Sequence, residues 1–209
     1  MTTNPATTSR VTAAVERALD DRQREATEEV ERILAAAVRV MERVAPETPR
    51  VSDIVAEAGS SNKAFYRYFA GKDDVILAVM ERGVAIVVSY LQHQMTKERT
   101  AAGQVRRWIE GALAQVADPH LISMSRAAAG QVSLTTDWRA ADDAIMRPMR
   151  DLLIEPITAL ASKDVHRDAD VVFHCTVSAM RRYLDSAQRP GPADVDHLAR
   201  FCLRGLGVG

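Results

Sequence analysis

Aromatic side chains are scarce in this 209-residue chain, at 5%. A core must therefore be built from aliphatic residues, and with 47% hydrophobic residues overall there are enough of them. Cysteine is nearly absent: Cys175 and Cys202 are the only two, spaced neither as a C-x-x-C pair nor as zinc ligands. That excludes a disulfide scaffold and a zinc module, and leaves buried reduced thiols as the expectation. Charge of one sign is missing as well. Lys and Arg number 27 against 28 Asp and Glu, a net charge of −1, so neither a polybasic nor an acidic chain is present. No uninterrupted apolar stretch approaches the roughly 20 residues that span a bilayer. The opening MTTNPATTSR lacks the basic start and apolar run of a secretion signal, so a cytoplasmic protein is expected. No glycine-rich phosphate loop, nucleophile elbow or paired-carboxylate site stands out. Neither catalysis nor a bound metal or cofactor is expected.

What the chain does have is helical periodicity without any strand pattern, which predicts an all-α fold. Its length suits one large helical domain, or a small one joined to a larger. Residues 1 to about 10 are rich in Thr, Ser, Asn and Pro and read as disordered. Residues 11–26 are charged and helix-compatible. Arg10, Arg17, Arg22 and Arg24 would let this extension reach phosphate or a minor groove, but Glu16, Asp20, Asp21 and Glu25 are interspersed as on an ordinary solvated helix. The first firm helix spans 27–44, with Val30, Ile33, Leu34, Ala37, Val38 and Met41 on one stripe and Pro46 and Pro49 ending it. Further helices are predicted at 72–95, 101–117, 120–130, 138–161, 167–188 and 193–206. Asp118 is a candidate N-cap, and Pro148 and Pro156 should bend the 138–161 helix.

The most informative stretch is 51–82, VSDIVAEAGSSNKAFYRYFAGKDDVILAVMER. Ser52 stands where an N-cap belongs, with Ile54, Val55 and Ala58 behind it at helical spacing. Gly59 follows, where a helix end favours positive φ. Ser60 or Ser61 can cap the next segment, whose Phe65 and Phe69 share one face while Lys63, Tyr66 and Arg67 fall toward the other. Two short helices across a tight glycine turn, the second with polar and aromatic tips, form a helix-turn-helix able to enter a major groove. From Arg50 to Lys72 four cations (Arg50, Lys63, Arg67, Lys72) face two anions (Asp53, Glu57). Phosphate contacts must therefore be few and well placed, and salt sensitivity moderate. Lys72 at the start of a helix runs against the helix dipole. A DNA phosphate bound at the same helix end would account for it.

The run Ile54-Val55-Ala56-Glu57-Ala58-Gly59, then Ser61, then Phe65-Tyr66-Arg67-Tyr68-Phe69 and Gly71-Lys72-Asp73-Asp74-Val75 resembles the tetracycline-repressor (TetR) family. The resemblance covers about a quarter of the chain. It departs from common members at Lys63 and Ala64, where many have Gly or Pro followed by Thr or Ser, and at Ser60 in place of an apolar residue. It implies an all-helical, homodimeric, ligand-responsive transcription regulator. The expected division is an extension over 1–26, a DNA-binding domain over 27–73 and a ligand-binding and dimerisation domain over 74–209. Ser52, Ser61, Tyr66, Tyr68 and Lys72 are expected to contact phosphates of a near-palindromic double-stranded operator. Asn62, Lys63 and Ala64 are expected to approach base edges. Repression relieved by a small, largely apolar effector is the leading expectation. An activator, an enzyme that kept the fold, or a dimeric ligand-binding protein with a vestigial reading head are the alternatives.

In the C-terminal part the stripes of 152–161 and 171–184 suit an intersubunit four-helix bundle. Candidate ligand-lining residues are Trp108, Leu113, Met124, Arg126, Trp138, Met146 and Phe173, with Arg126 able to hold an anionic headgroup. His166, Asp170 and His174 fall on one helix face. Spacings of this kind arise by chance, and the reading is a cap or surface position for His166 and a core or interface position for His174.

Overall fold

The computed structural model of the chain describes residues 9–45, 47–117, 138–186 and 188–208, with the backbone alone for residues 138–142. All regular structure among the described residues is helical: α1 (Arg10–Val44), α2 (Val51–Ala58), α3 (Asn62–Tyr68), α4 (Lys72–Met95), α5 (Ala101–Ala117), α6 (Trp138–Asp151), α7 (Ile154–Ala159), α8 (Val165–Leu184) and α9 (Pro192–Gly205). The expected helix at 120–130, the Asp118 cap, Met124 and Arg126 lie outside the described residues, as does the side chain of Trp138. The chain divides into two compact units, residues 1–40 with 49–75, and residues 41–48 with 76–209.

In the first unit the extension and the first firm helix are one continuous helix, α1. Its buried stripe of Ile33, Leu34, Ala36, Ala37 and Val40 repeats at helical spacing. Val11, Val15 and Leu19 carry an apolar stripe on into the extension, where they are exposed. Ile54, Val55, Ala64, Phe65, Phe69 and Val75 complete the buried apolar set of this unit among the described residues. Phe65 and Phe69 lie 5.6 Å apart between ring centroids.

The second unit is organised around α5, which packs against α7, α8 and α9. The apolar face of α5, Val105, Trp108, Ile109, Ala112, Leu113 and Val116, is almost completely buried. Gly111 lets α4 come close, since a Cβ there would lie 2.6 Å from the Leu91 side chain. Arg106 ties α5 to α9 through a 2.7 Å bond to Asp196. That hydrogen bond, opposed by some desolvation, holds the Asp196 carboxyl below its ordinary pKa.

The expected single helix over 138–161 is instead broken at Leu152 and Leu153 into α6 and α7. The break follows from Pro156: it has no N–H to donate to the Leu152 carbonyl, and its ring would clash there. Pro148, by contrast, stays inside α6. Leaving α6 early exposes its last carbonyls, and one of them finds a distant partner. The Trp108 indole N–H donates to the Met149 carbonyl at 3.0 Å.

Cys202 is buried and Cys175 half-buried, and both are free thiols. Burial, with Cys175 nearby, pushes the Cys202 thiol up to about 11, so it stays protonated and unreactive at neutral pH. His166 and His174 are both exposed, so His174 is not a core residue of this chain. His166 follows Val165 inside α8, whose N-cap is Asp164. Asp170, between them in sequence, accepts from Arg150 at 3.1 Å. No metal-binding cluster occurs among the described residues. None of the described helices is long and apolar enough to cross a membrane.

Candidate nucleic-acid interface

The turn between α2 and α3 is set by its own residues. Gly59 takes φ +61°, and its N–H bonds the Ala56 carbonyl at 3.2 Å while Ser60 N–H bonds that of Val55 at 3.1 Å. This double closure is the Schellman arrangement, which needs a residue at ease with positive φ. Of the two serines offered as caps, Ser61 does the work, its hydroxyl accepting from the Ala64 N–H at 3.1 Å. Ser52 does not cap α2. The N-cap is Arg50, with no side-chain bond, and its carbonyl already receives the N–H groups of Asp53 and Ile54. Ser52 is therefore inside the first turn, where its hydroxyl lies 3.3 Å from Asp53 Oδ1. Starting the helix at Val51 places Asp53 in its first turn, as the dipole prefers.

The exposed side of this helix pair carries Ser52, Ser61, Asn62, Lys63, Tyr66 and, at the first position of α4, Lys72. Lys63 and Lys72 have no ion-pair partner among the described residues, while Tyr66 is 58% exposed with its ring edge-on to Phe65. Asp74, two residues after Lys72, accepts from the Ala70 N–H at 2.8 Å and closes the start of α4. Of the other charges, Glu57 accepts from Arg39 at 2.8 Å. Asp73, next to Lys72, is exposed as well; the other groups named on this side are cationic or neutral, which suits a phosphate-lined surface.

Two of the residues expected at DNA are placed elsewhere. Ala64 is buried, at 7% exposure, so its methyl group packs inside the unit rather than standing out toward a thymine. One turn of helix separates exposed from buried positions, and Ala64 shares the face of Phe65. Tyr68 is half-buried, and its hydroxyl donates to Glu29 Oε2 at 3.1 Å, which commits it to α1. Glu29 drew no attention in the sequence because a single carboxylate on a mixed-charge helix looks like surface. The one available signal was its position four residues before Ile33, on the rim of the buried stripe.

In the second unit, Trp108, Leu113 and Phe173 are buried in the apolar cluster and Met146 is half-buried beside it. Trp108 and Phe173 lie 6.3 Å apart between ring centroids.

The sequence pattern of the bacterial regulatory proteins of the tetR family matches residues 33–79, which include both helices of the turn and the start of α4. By sequence, no curated protein matches the chain. By structure it is similar to the transcriptional regulator FadR from Bacillus subtilis in complex with stearoyl-CoA, with a TM-score of 0.66 at 17% identity over 84% of this chain and 96% of that one. It is also similar to the fatty acid degradation regulator FadR from Bacillus halodurans, with a TM-score of 0.64 at 18% identity over the same shares, 84% and 96%. A TetR-family transcriptional regulator from Streptomyces coelicolor aligns at a TM-score of 0.57 and 22% identity, over 86% of this chain and 88% of that one. At such identities the likeness speaks for the fold. The family assignment belongs to the head: residues 33–79, with the helix-turn-helix, match the bacterial regulatory proteins of the tetR family.

Proposed function

We propose that the protein is a cytoplasmic homodimer that binds a near-palindromic operator and represses transcription until a small, largely apolar ligand releases it. The observation that carries the reading is the α2–Gly59–α3 turn with Asn62, Lys63, Tyr66 and Lys72 free on one exposed face. A single head reads one half-site, and two-fold pairing places two reading helices about one DNA turn apart. Val171 on α8, at 58% exposure, and Phe201 on α9, at 62%, support an apolar face suited to a second copy. Trp108, Leu113, Met146 and Phe173 are our candidates for contact with the effector's apolar body, and the acyl-CoA named with one structural relative favours an elongated ligand. In this reading the ligand acts by shifting α4, of which Lys72–Val75 belong to the first unit and the remainder to the second. An effector acts in this way only if it binds the two states with different affinity.

The test is binding to DNA upstream of the protein's own gene, in physiological salt and against scrambled competitor, followed by selection from random DNA. Two chains per site, bound much more tightly than the roughly 10⁻⁴–10⁻⁶ M of non-specific binding, is the expected result. No preference for any selected sequence would leave a ligand-binding protein with a vestigial head. Removing Lys72 gives a sharper prediction. Lys72→Ala should weaken selected and scrambled DNA alike and reduce the salt slope by about one. An unchanged slope would remove Lys72 from the interface.

A further inference from the structure

The carboxylate of Glu29 holds both ends of the reading helix at once. Ser60, in the turn before α3, donates to Oε1 at a long 3.4 Å. Tyr68, the last residue of α3, donates to Oε2 at 3.1 Å, and Arg67 places its guanidinium 3.7 Å from the same oxygen. The Arg67 guanidinium also lies 5.6 Å from the centre of the Tyr68 ring. Glu29 itself is only 21% exposed, so these bonds are less diluted by water than surface pairs are.

Two apolar anchors, Phe65 and Phe69, hold α3 down, but apolar packing is non-directional and defines the tilt of a seven-residue helix less sharply than a hydrogen bond does. A phenol bonded to a carboxylate is directional and charge-assisted. Because the two oxygens of Glu29 take donors from opposite ends of α3, tilting the helix in either direction stretches one of the bonds. We propose that Glu29 is the positioning residue that fixes the pose of the reading helix, acting through Tyr68 and Ser60, and so determines how well the head discriminates between DNA sequences. This rests on the DNA-reading function proposed above. Glu29 touches no base in this scheme; it determines where Asn62 and Lys63 point.

The test compares full-length wild type, Glu29→Ala, Glu29→Gln, Tyr68→Phe and the Glu29→Ala/Tyr68→Phe double variant on DNA selected by the wild type and on scrambled DNA, across a salt series. Glu29→Ala should lower the selected-to-scrambled affinity ratio by about tenfold or more, since the Tyr68 and Ser60 bonds are lost together. Its salt slope should not fall, because no phosphate-binding group is removed and the Arg67 guanidinium is released. Glu29→Gln keeps one acceptor oxygen, for Tyr68, while its amide N–H2 can donate to the Ser60 hydroxyl, and it should retain most of the ratio. Tyr68→Phe should reproduce most of the loss without changing the slope, and the double variant should fall no further than Glu29→Ala alone. A Tyr68→Phe slope lower by about one, additive losses, or equal weakening on both DNAs would overturn the proposal. Amide hydrogen exchange in the free protein judges the pose without DNA. Faster exchange at Phe65–Phe69 in Glu29→Ala is expected, and unchanged exchange overturns the proposal even if the wild type turns out to read no DNA.

Discussion

Phe65→Ala should destabilise the first unit by about 3–5 kcal/mol and abolish specific DNA binding without touching any group on the exposed face. Phe65 has no exposed surface, packs against Phe69 at 5.6 Å and carries Tyr66 edge-on at 5.3 Å. It is the largest fully buried side chain of a unit whose other buried residues, Phe69 apart, are aliphatic. Its removal leaves a cavity that the short α2 and α3 cannot fill by relaxing, because Gly59 and the Ser61 cap fix the turn between them. The loss is a large share of the 5–15 kcal/mol of a whole domain. Amide exchange would locate the effect. Protection across Ile54–Phe69 should collapse while Trp108–Val116 stays protected. Selected-site binding should fall to the level of scrambled DNA. Protection unchanged in α2 and α3 would show that Phe65 is not the keystone of this packing.

The second large effect is expected at Trp108. Trp108→Ala should cost about 3–5 kcal/mol in the second unit, and Trp108→Phe about 1–3 kcal/mol. Comparing the two substitutions separates two roles of one side chain. The ring fills the centre of the α5 face beside Phe173. The N–H satisfies the Met149 carbonyl, which the break before α7 has left without its helical partner. Phenylalanine restores much of the volume and leaves that buried acceptor unpaired; alanine removes both. Urea unfolding monitored by helical circular dichroism supplies the two figures. If Trp108→Phe is neutral, the Met149 carbonyl has found another donor and the indole serves only by its bulk.

The helical class and most helix boundaries were legible because they depend on residues within one or two turns of each other. Gly59 with positive φ, Ser61 with its hydroxyl on Ala64, and the start of α4 at Lys72 are all local signals. Cap choice was the weak point. Ser52 carries a favoured N-cap side chain, but cap preference is worth only about 1 kcal/mol, and α2 starts at Val51 with uncapped Arg50 before it. The break at Leu152 was misread as a bend because a proline lifts the penalty for ending a helix without deciding whether the chain ends it. A tryptophan on another helix supplied the missing hydrogen bond and made ending it cheap.

The exposure of Asn62, Lys63 and Tyr66 was readable in outline, since period and turn together place them outward. Ala64 and Tyr68 were not, for two different reasons. A small apolar residue fits a core and a thymine contact equally well by type, and only packing makes it buried. A tyrosine hydroxyl takes whichever acceptor is nearest, and here that acceptor is 39 residues away in sequence.

The sequence by itself determined that the chain is helical, that a glycine turn joins α2 to α3, and that these residues form a TetR-type head. Caps, turns and apolar periods act over a few residues and carry their own energies. The tertiary structure alone decided that Glu29 meets Ser60 and Tyr68, that Ala64 faces inward, and that Trp108 reaches the Met149 carbonyl. Each of these is a directional contact or a burial between segments far apart in sequence, and its existence depends on how the helices pack rather than on either residue's type.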